Sequence, residues 1–201
     1  MIKSIVAKRL FDLLFSSLGL VVVSPMLLVI ALLVWLEDRG PVFYRQVRVG
    51  FQGKPFRIWK FRSMVLNADR LGLAITVGRD PRITRVGLFL RQTKLDELPQ
   101  LLNVFFGEMS FVGPRPEVQK YVDLYSPKQR QVLDLQPGIT DLASIKYRSE
   151  AELLAASSDP ERTYIDVIMP EKIRLNLEYA QSSSVFADVR IIVETLVRVV
   201  A

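Results

Sequence analysis

The chain contains neither cysteine nor histidine. Without cysteine it can form no disulfide and no thiolate metal site. Without histidine it lacks the Ser–His–Asp and Cys–His arrangements of many hydrolases, and it lacks the ligands of the usual zinc sites. Any acid–base or nucleophilic chemistry must therefore come from Asp, Glu, Lys, Tyr, Ser or Thr side chains.

Acidic residues are scarce in one stretch of the chain. Between Arg39 and Lys94 there are 13 lysines and arginines and only two acidic residues, Asp69 and Asp80. The rest of the 201 residues contains 14 basic and 19 acidic ones. Such a cationic segment predicts an anionic partner, which is a lipid headgroup, a phosphate ligand or nucleic acid. No base-stacking or helix-turn-helix pattern accompanies the segment, so we expect no nucleic acid partner.

A long apolar run precedes the cationic segment. Leu13 to Leu36 is 24 residues without a charge, and roughly 20 suffice to cross a bilayer as a helix. The run is too long for a cleaved signal peptide, and no small-residue cleavage site follows it. We therefore predict a membrane helix over residues 1–38 and a globular domain over residues 39–201.

Ser24 and Pro25 lie in the middle of this run. Proline removes a helical hydrogen bond and clashes with the preceding turn, so the helix should bend there. Both flanks of the run are basic, and the positive-inside rule draws both ends towards the cytoplasm. A re-entrant helix, broken at Ser24-Pro25 and leaving on the face where it entered, satisfies both observations. The residues leave open an ordinary kinked helix that crosses the bilayer.

The remaining sequence predicts an α+β fold that is mainly helical, with a small β-hairpin and amphipathic helices at the membrane interface. We predict strands at 42–46 and 55–60 joined by a loop at 50–53, and a tight turn at 137–140. Helices are predicted at 67–73, at 84–91, from Asp96 as N-cap to Gly107, after Ser126-Pro127, at 170–181 and at 185–200.

Asp96 and Glu97 are the first candidates for chemistry. Two carboxylates at a helix start lie in the positive end of the helix dipole, which favours the ionised form that a carboxylate nucleophile needs. Arg91 and Lys94, just upstream, could orient a phosphate. Ordinary helix capping explains the same two carboxylates, and spacing alone leaves both interpretations open.

Arg115 is the second candidate, because Pro114 and Pro116 hold it in a stiff loop. A guanidinium presented in this way suits bidentate recognition of phosphate, although a solvated arginine in a structural turn has the same sequence. Backbone donors of the predicted turn at 137–140 could face a nucleotide, and a bare turn is the alternative. Further cations that could contact phosphate or lipid headgroups are Lys60, Arg62, Arg79, Arg82 and Arg85.

Four sequence blocks occur in a specific order: KFRSM at 60–64, DELPQLLNV at 96–104, MSFVGPRP at 109–116 and PGIT at 137–140. Together they resemble the bacterial sugar transferase family, the monotopic phosphoglycosyl transferases that start glycan assembly on undecaprenyl phosphate. The resemblance extends from about Lys8 to the end of the chain. It is similar to the minimal catalytic form of the family, without the additional N-terminal membrane domain of larger members.

The resemblance implies a re-entrant helix broken at Ser24-Pro25 and a catalytic domain on the cytoplasmic face of the bacterial inner membrane. It implies that Asp96, in a dyad with Glu97, attacks the β-phosphate of a UDP-sugar, releases UMP and passes the phospho-sugar to undecaprenyl phosphate. Mg²⁺ is expected as cofactor, held near Asp96, Glu97 and the diphosphate. The residues expected to bind phosphate or nucleotide are Lys60, Arg62, Arg82, Arg91, Arg115, Pro137, Gly138, Thr140 and Arg148.

Two stretches depart from the family pattern. Asp141 stands where many members have Gly, and Lys146-Tyr147-Arg148 replaces a common Asn-Gly-Arg-like stretch, so donor preference stays open. Two other functions also stay open: a glycosyl transferase that moves the sugar without its phosphate, and a non-catalytic protein that binds anionic lipid. The sequence identifies neither the sugar nor the glycan pathway, and it leaves an oligomeric assembly open.

Overall fold

The computed structural model describes residues 2–68, 71, 75–78 and 80–200, with side chains from residue 6 to residue 198. In that part of the chain the fold is mainly helical, as expected, with two short two-stranded sheets. The helices are α1 (Ile2–Asp38), α2 (Arg85–Gln92), α3 (Gln100–Phe106), α4 (Gln119–Val122), α5 (Leu142–Lys146), α6 (Glu150–Ala155), α7 (Pro160–Thr163), α8 (Met169–Gln181) and α9 (Val185–Val200). The strands are β1 (Phe43–Val49), β2 (Pro55–Phe61), β3 (Ser110–Val112) and β4 (Gly138–Thr140).

Helix α1 contains the apolar run, and its segment Val6–Asp38 is long and apolar enough to cross a membrane, with a mean hydropathy of 2.7. Pro25 lies inside this helix, and the hydroxyl of Ser24 donates to the carbonyl of Val21 at 2.8 Å. The predicted break therefore does not interrupt the helical assignment. The re-entrant path stays a prediction.

Two arms of α1, a first one around Arg9 and a second one around Val34, contact the globular domain. Near its start, Arg9 donates to the carbonyls of Val104 and Phe105 at 2.7 and 2.8 Å. Near its end, Ile30 and Val34 are buried in a cluster with Phe61 and Leu90. Between the two arms, the side chains of Val21, Val22 and Leu28 are 73%, 68% and 72% exposed. The middle of the apolar helix thus lies away from the domain that holds its two ends.

Strands β1 and β2 form the predicted hairpin, antiparallel in register from Phe43 opposite Phe61 to Val49 opposite Pro55. A 3₁₀ turn at Phe51–Gly53 closes it, with Gln52 and Gly53 at positive φ. Alternation along β2 buries Ile58 against Val104 and Met109. Lys60, two residues further along, lies on the same face of the strand as Ile58, and it donates to Glu97 of the candidate site.

Strands β3 and β4 pair in parallel, with Ser110 opposite Gly138 and Val112 opposite Thr140. The predicted tight turn at 137–140 is wrong, since Gly138–Thr140 is a strand. Gly113 and Gly138 permit this pairing because a Cβ on Gly138 would lie 2.1 Å from the Gly113 nitrogen. A glycine is required where two backbones approach this closely.

Three other boundaries differ from the predicted ones. Asp96 is not an N-cap, because it lies inside a 3₁₀ turn, Leu95–Glu97, that precedes α3. Ser126-Pro127 leads into a 3₁₀ helix, Gln129–Asp134, where Ser126 and Gln129 cap each other. The helix predicted at 67–73 falls largely outside the described residues, as does Arg79. The helices predicted at 84–91, 170–181 and 185–200 are confirmed as α2, α8 and α9.

Candidate active site

The Asp96–Glu97 pair lies at a reversal between two helices. Thr84 caps the start of α2 by accepting from the Gly87 nitrogen, and α2 ends at Gln92. Lys94 then adopts a left-handed conformation with φ of 59°, which turns the chain into the 3₁₀ segment Leu95–Glu97. This turn places the two carboxylates against the end of β2.

Asn103 attaches α3 to β2 and so fixes the carboxylate pair relative to Lys60. Its side chain accepts from the Trp59 nitrogen at 2.9 Å and donates to the Arg57 carbonyl at 3.0 Å. It also donates to Glu108 at 2.7 Å, and it has no exposed surface. Sequence reasoning included Asn103 in a family block but assigned it no role, although a polar residue on the buried face of a predicted helix was a usable signal.

Glu97 is fully engaged by two cations. Lys60 donates to Oε1 at 2.8 Å, and Arg115 donates to Oε2 at 3.0 Å and also to Oε1. Burial acts to raise the pKa of Glu97, but Arg115 and Lys60 outweigh it and hold the pKa well below its ordinary value of 4.5. Glu97 is therefore an ionised carboxylate at neutral pH, and it holds two cations in place.

Asp96 differs from Glu97 in its hydrogen bonding and in the direction in which its pKa is shifted. It is only 5% exposed, and within the described part of the chain its carboxylate accepts no hydrogen bond. Burial and the negative charge of Glu97 raise the pKa of Asp96, against the opposing effects of Lys60, Arg91 and Arg115. An ionised carboxylate that is poorly solvated and unpaired is a reactive one.

The loop that carries Arg115 is itself held firmly. The Arg115 nitrogen donates to Asp141 at 3.3 Å, and the Gly113 nitrogen donates to the Thr140 carbonyl at 3.0 Å. Asp141 also caps α5 through the Ser144 nitrogen and accepts from Asn176 at 2.8 Å. The residue that departs from the family pattern thus supports the loop that presents Arg115.

A family model described as bacterial sugar transferase matches residues 3–201. The chain belongs to the bacterial sugar transferase family. It is 42% identical over 197 residues to a UDP-glucose:undecaprenyl-phosphate glucose-1-phosphate transferase of Klebsiella pneumoniae. The matched region covers 96% of this chain and 40% of that protein. It is 40% identical over 198 residues to the protein of the same name from Escherichia coli K12, covering 94% of this chain and 39% of the relative.

A relative of similar length is the exopolysaccharide production protein PSS of Rhizobium leguminosarum bv. phaseoli. The two are 39% identical over 201 residues, which is 96% of this chain and 94% of the relative. The chain spans about two fifths of the length of the first two relatives, and nearly all of this third one. The family resemblance drawn from the four sequence blocks is therefore confirmed.

The structure places the other predicted cations differently from one another. Arg91 donates to the Thr76 hydroxyl at 2.8 Å and acts electrostatically on Asp96. Arg62 forms a bidentate ion pair with Asp38, at the end of α1. Arg82 is bonded to Asp80 and to the Ala68 carbonyl. Lys60, Arg91 and Arg115 are thus the cations gathered around the carboxylate pair.

The remaining nucleotide-binding predictions are only partly brought together. Pro137 lines a pocket beside β1 and α8. The Thr140 hydroxyl contacts that of Thr195 in α9 at 2.7 Å, and Gly138 is used in the strand pairing. Arg148 is exposed after α5, and within the described residues no bond connects it to the carboxylate pair. The charged residues that line this pocket are two cations, Arg115 and Lys172, and two carboxylates, Glu117 and Asp141.

The donor set for a metal is small. Among the described residues no group of three or more acidic side chains is placed to hold an ion. Both oxygens of Glu97 are already bonded to cations, whereas the carboxylate of Asp96 is unpaired. Mg²⁺ usually binds through one or two carboxylates together with substrate phosphates. The residues present fit that mode of binding.

Proposed function

We propose that this chain transfers a phospho-sugar from a UDP-sugar to undecaprenyl phosphate through a covalent intermediate on Asp96. The observation that carries the proposal is the difference between the environments of the two adjacent carboxylates. Glu97 is held by Lys60 and Arg115, and the adjacent Asp96 is buried and unpaired. The names of the relatives, which include undecaprenyl-phosphate glucose-1-phosphate transferases, support the same reaction.

The reaction runs in two displacements. An oxygen of Asp96 attacks the β-phosphorus, the bond to the bridging oxygen breaks, and UMP leaves with the electron pair. The phosphate oxygen of the lipid then attacks the same phosphorus and releases the Asp96 carboxylate. Two displacements of this kind replace a single difficult one.

The cations around the carboxylate pair stabilise the negative charge that develops on the phosphate oxygens in both displacements. Arg115 presents a fork of donors from a fixed loop, which suits phosphate oxygens. Lys60 lies at the same carboxylate, and burial lowers the pKa of Lys60 while the charge of Glu97 opposes that change. A fixed, partly desolvated set of donors needs little reorganisation when charge moves.

Mg²⁺ is the cofactor that we propose, held by the Asp96 side of the pair and by the diphosphate of the donor. When bound, it neutralises charge on the diphosphate oxygens. Glu97 contributes to this site indirectly, because its own oxygens hold Lys60 and Arg115.

For the donor, UDP-glucose is the first candidate, because two of the relatives are named for it. We infer that the nucleotide binds near Arg115, since Arg115 reaches Glu97 and also lines the small pocket beside β1 and α8. Production of an exopolysaccharide or a related glycan is the pathway class that the relatives' names support.

For the topology, we propose that α1 is re-entrant and that the globular domain, residues 39–201, lies on the cytoplasmic face of the inner membrane. Arg9 and Asp38, near opposite ends of the helix, both bond to that one domain. Apolar side chains on one face of α9 are exposed and would lie in the membrane interface; they are Phe186, Val189, Val193, Leu196 and Val197.

Cysteine labelling tests this topology, since the chain has no cysteine of its own. Ile2→Cys should resist a membrane-impermeant thiol reagent added to intact cells and react after the membrane is opened. Lys54→Cys, in the hairpin turn, is the control for a position in the globular domain. Labelling of position 2 from outside intact cells would contradict the re-entrant path.

The reaction is tested by nucleotide release from purified protein in nanodiscs with Mg²⁺, undecaprenyl phosphate and a panel of UDP-sugars. UMP release with one donor, lost in Asp96→Asn and kept in Asp134→Asn, is the expected result. Asp134 is the matched control because it is an exposed aspartate remote in sequence from the pair. Release of UDP would indicate transfer of the sugar alone, and no release from any donor would indicate a non-catalytic protein.

A further inference from the structure

Gln100 is a buried amide with no partner. Its side chain is 1% exposed, and neither Oε1 nor Nε2 makes a hydrogen bond within the described part of the chain. The other buried amide of the same helix, Asn103, makes three hydrogen bonds. A buried polar group without a partner destabilises a fold, so its presence asks for a functional explanation.

The position of Gln100 indicates what it faces. It is the first residue of α3, and only Leu98 and Pro99 separate it from the turn that holds Asp96 and Glu97. Side chains on a helix lean towards its N-terminus and cover the preceding turn. This lean directs the amide of Gln100 towards the turn that holds the carboxylate pair. Glu97 is already bonded to Lys60 and Arg115, so the acceptor left without a bond is Asp96.

We propose that Gln100 is a positioning residue for the Asp96 nucleophile, and this inference rests on the proposed function. In the donor complex, Nε2 of Gln100 donates to the Asp96 oxygen that does not attack, which aims the other oxygen at the β-phosphorus. As the new O–P bond forms and UMP leaves, the non-attacking oxygen becomes the carbonyl of the acyl phosphate. That carbonyl still accepts the same hydrogen bond, so the amide holds the nucleophile before and after the displacement.

Gln100→Met tests the inference, because methionine has a similar length and no donor. The measurement is UMP release in the absence of undecaprenyl phosphate, which isolates the first displacement. We expect the maximum rate of this single turnover to fall about 100-fold while the donor concentration that gives the half-maximal rate is unchanged, since misplacing a reacting group slows chemistry more than binding. The unfolding temperature should stay the same or rise, because an unpartnered amide has been removed.

Gln100→Glu is the second variant, since it keeps the shape and, when ionised, offers only acceptors. It should lose at least as much rate as Gln100→Met. Gln119→Met is the matched control, because Gln119 is exposed on α4 and its amide donates to Asp123. Its rate should equal that of the unaltered chain.

Two results would overturn the role of Gln100 alone. One is an unchanged maximum rate in Gln100→Met or Gln100→Glu while the unaltered chain releases UMP. The other is a loss of rate that comes with a matching fall in unfolding temperature, which indicates a packing role. Absence of UMP release from the unaltered chain is a different result, because it removes the proposed function and this inference together.

Discussion

Arg115 and Glu97 are joined by a bidentate ion pair, although they are 18 positions apart in sequence with α3 and β3 between them. The guanidinium approaches from a loop fixed by prolines and by Asp141, and the carboxylate approaches from a 3₁₀ turn before α3. Lys60 completes the arrangement from β2. Because Lys60 and Arg115 both bond to Glu97, the adjacent Asp96 keeps a carboxylate without an ion pair inside a cationic site.

Asp96→Asn should remove activity without weakening the fold. The nucleophile is lost, so UMP release should fall on the order of 10⁴-fold or more. The buried, unpaired carboxylate costs stability at neutral pH because the pKa of Asp96 is raised by burial. Chemical denaturation should therefore give a midpoint at least as high as that of the unaltered chain. A clearly lower midpoint would show that Asp96 has a structural partner.

Arg115→Met should lower both activity and stability. It leaves Glu97 with Lys60 alone, and we expect a loss of about 2 kcal/mol in the free energy of unfolding. This is less than for a fully buried pair, since 39% of the Arg115 side chain is exposed. Urea denaturation at neutral pH measures it, and Arg162→Met, in an exposed pair with Asp166, should show little change.

The same variant should change the dependence of stability on pH. The pKa of Glu97 in the folded chain is held well below 4.5, so its contribution to stability is present above that value. The contribution is lost as pH falls through the lower folded pKa. Part of the acid destabilisation of the unaltered chain should accordingly be absent in Arg115→Met. An identical fall below pH 4.5 in both would contradict the ion pair as its cause.

Activity should depend on pH through Asp96. Attack requires the ionised carboxylate, and the pKa of Asp96 is raised above 3.8 first by burial and next by the charge of Glu97. UMP release should therefore rise with pH through a midpoint above that value. Glu97→Gln removes one negative charge and frees Lys60 and Arg115, so the midpoint in kcat/KM should move to lower pH. A movement to higher pH would be the contrary result.

Lys8→Met should detach the first arm of α1. Lys8 forms an ion pair with Asp188, which is 1% exposed, and donates to the Val112 carbonyl at 3.1 Å. Removing it leaves a buried carboxylate with Tyr179 as its remaining partner, at a cost of about 3 kcal/mol. Denaturation in detergent measures the change, and Lys128→Met, an exposed lysine, is the control. Equal stability of the two variants would show that this anchor is unimportant.

Gly138→Ala should disrupt the pairing of β3 with β4. The added Cβ would lie 2.1 Å from the Gly113 nitrogen, which no rotamer relieves, and we expect a loss of about 3 kcal/mol. Gly53→Ala is the control, since it meets open space and has only the strain of a φ of 74° to bear, about 1 kcal/mol. Thermal unfolding should rank the two variants in that order.

Local patterns in the sequence were enough to predict the hairpin strand β2 and the helices α2, α8 and α9. Alternation along Pro55–Phe61 predicted a strand, and helical periodicity predicted α2, α8 and α9. The prediction of a turn at Pro137–Thr140 is wrong because Gly138 serves the close pairing of two strands and not a turn. Gly138 is needed where two strands approach closely, and a local pattern cannot reveal a partner strand whose paired residues lie 28 positions upstream.

The sequence by itself determined the family, the mainly helical fold, the long apolar helix and the identity of the two carboxylates, because each depends on residue type and order along the chain. Only the tertiary structure decided which carboxylate is paired and which is free. It also decided that Arg62 and Arg82 bond to Asp38 and Asp80 while Lys60 and Arg115 reach Glu97. Charge pairing depends on distances between side chains that are far apart in sequence, and only the packing of β2, α3 and the Arg115 loop sets those distances.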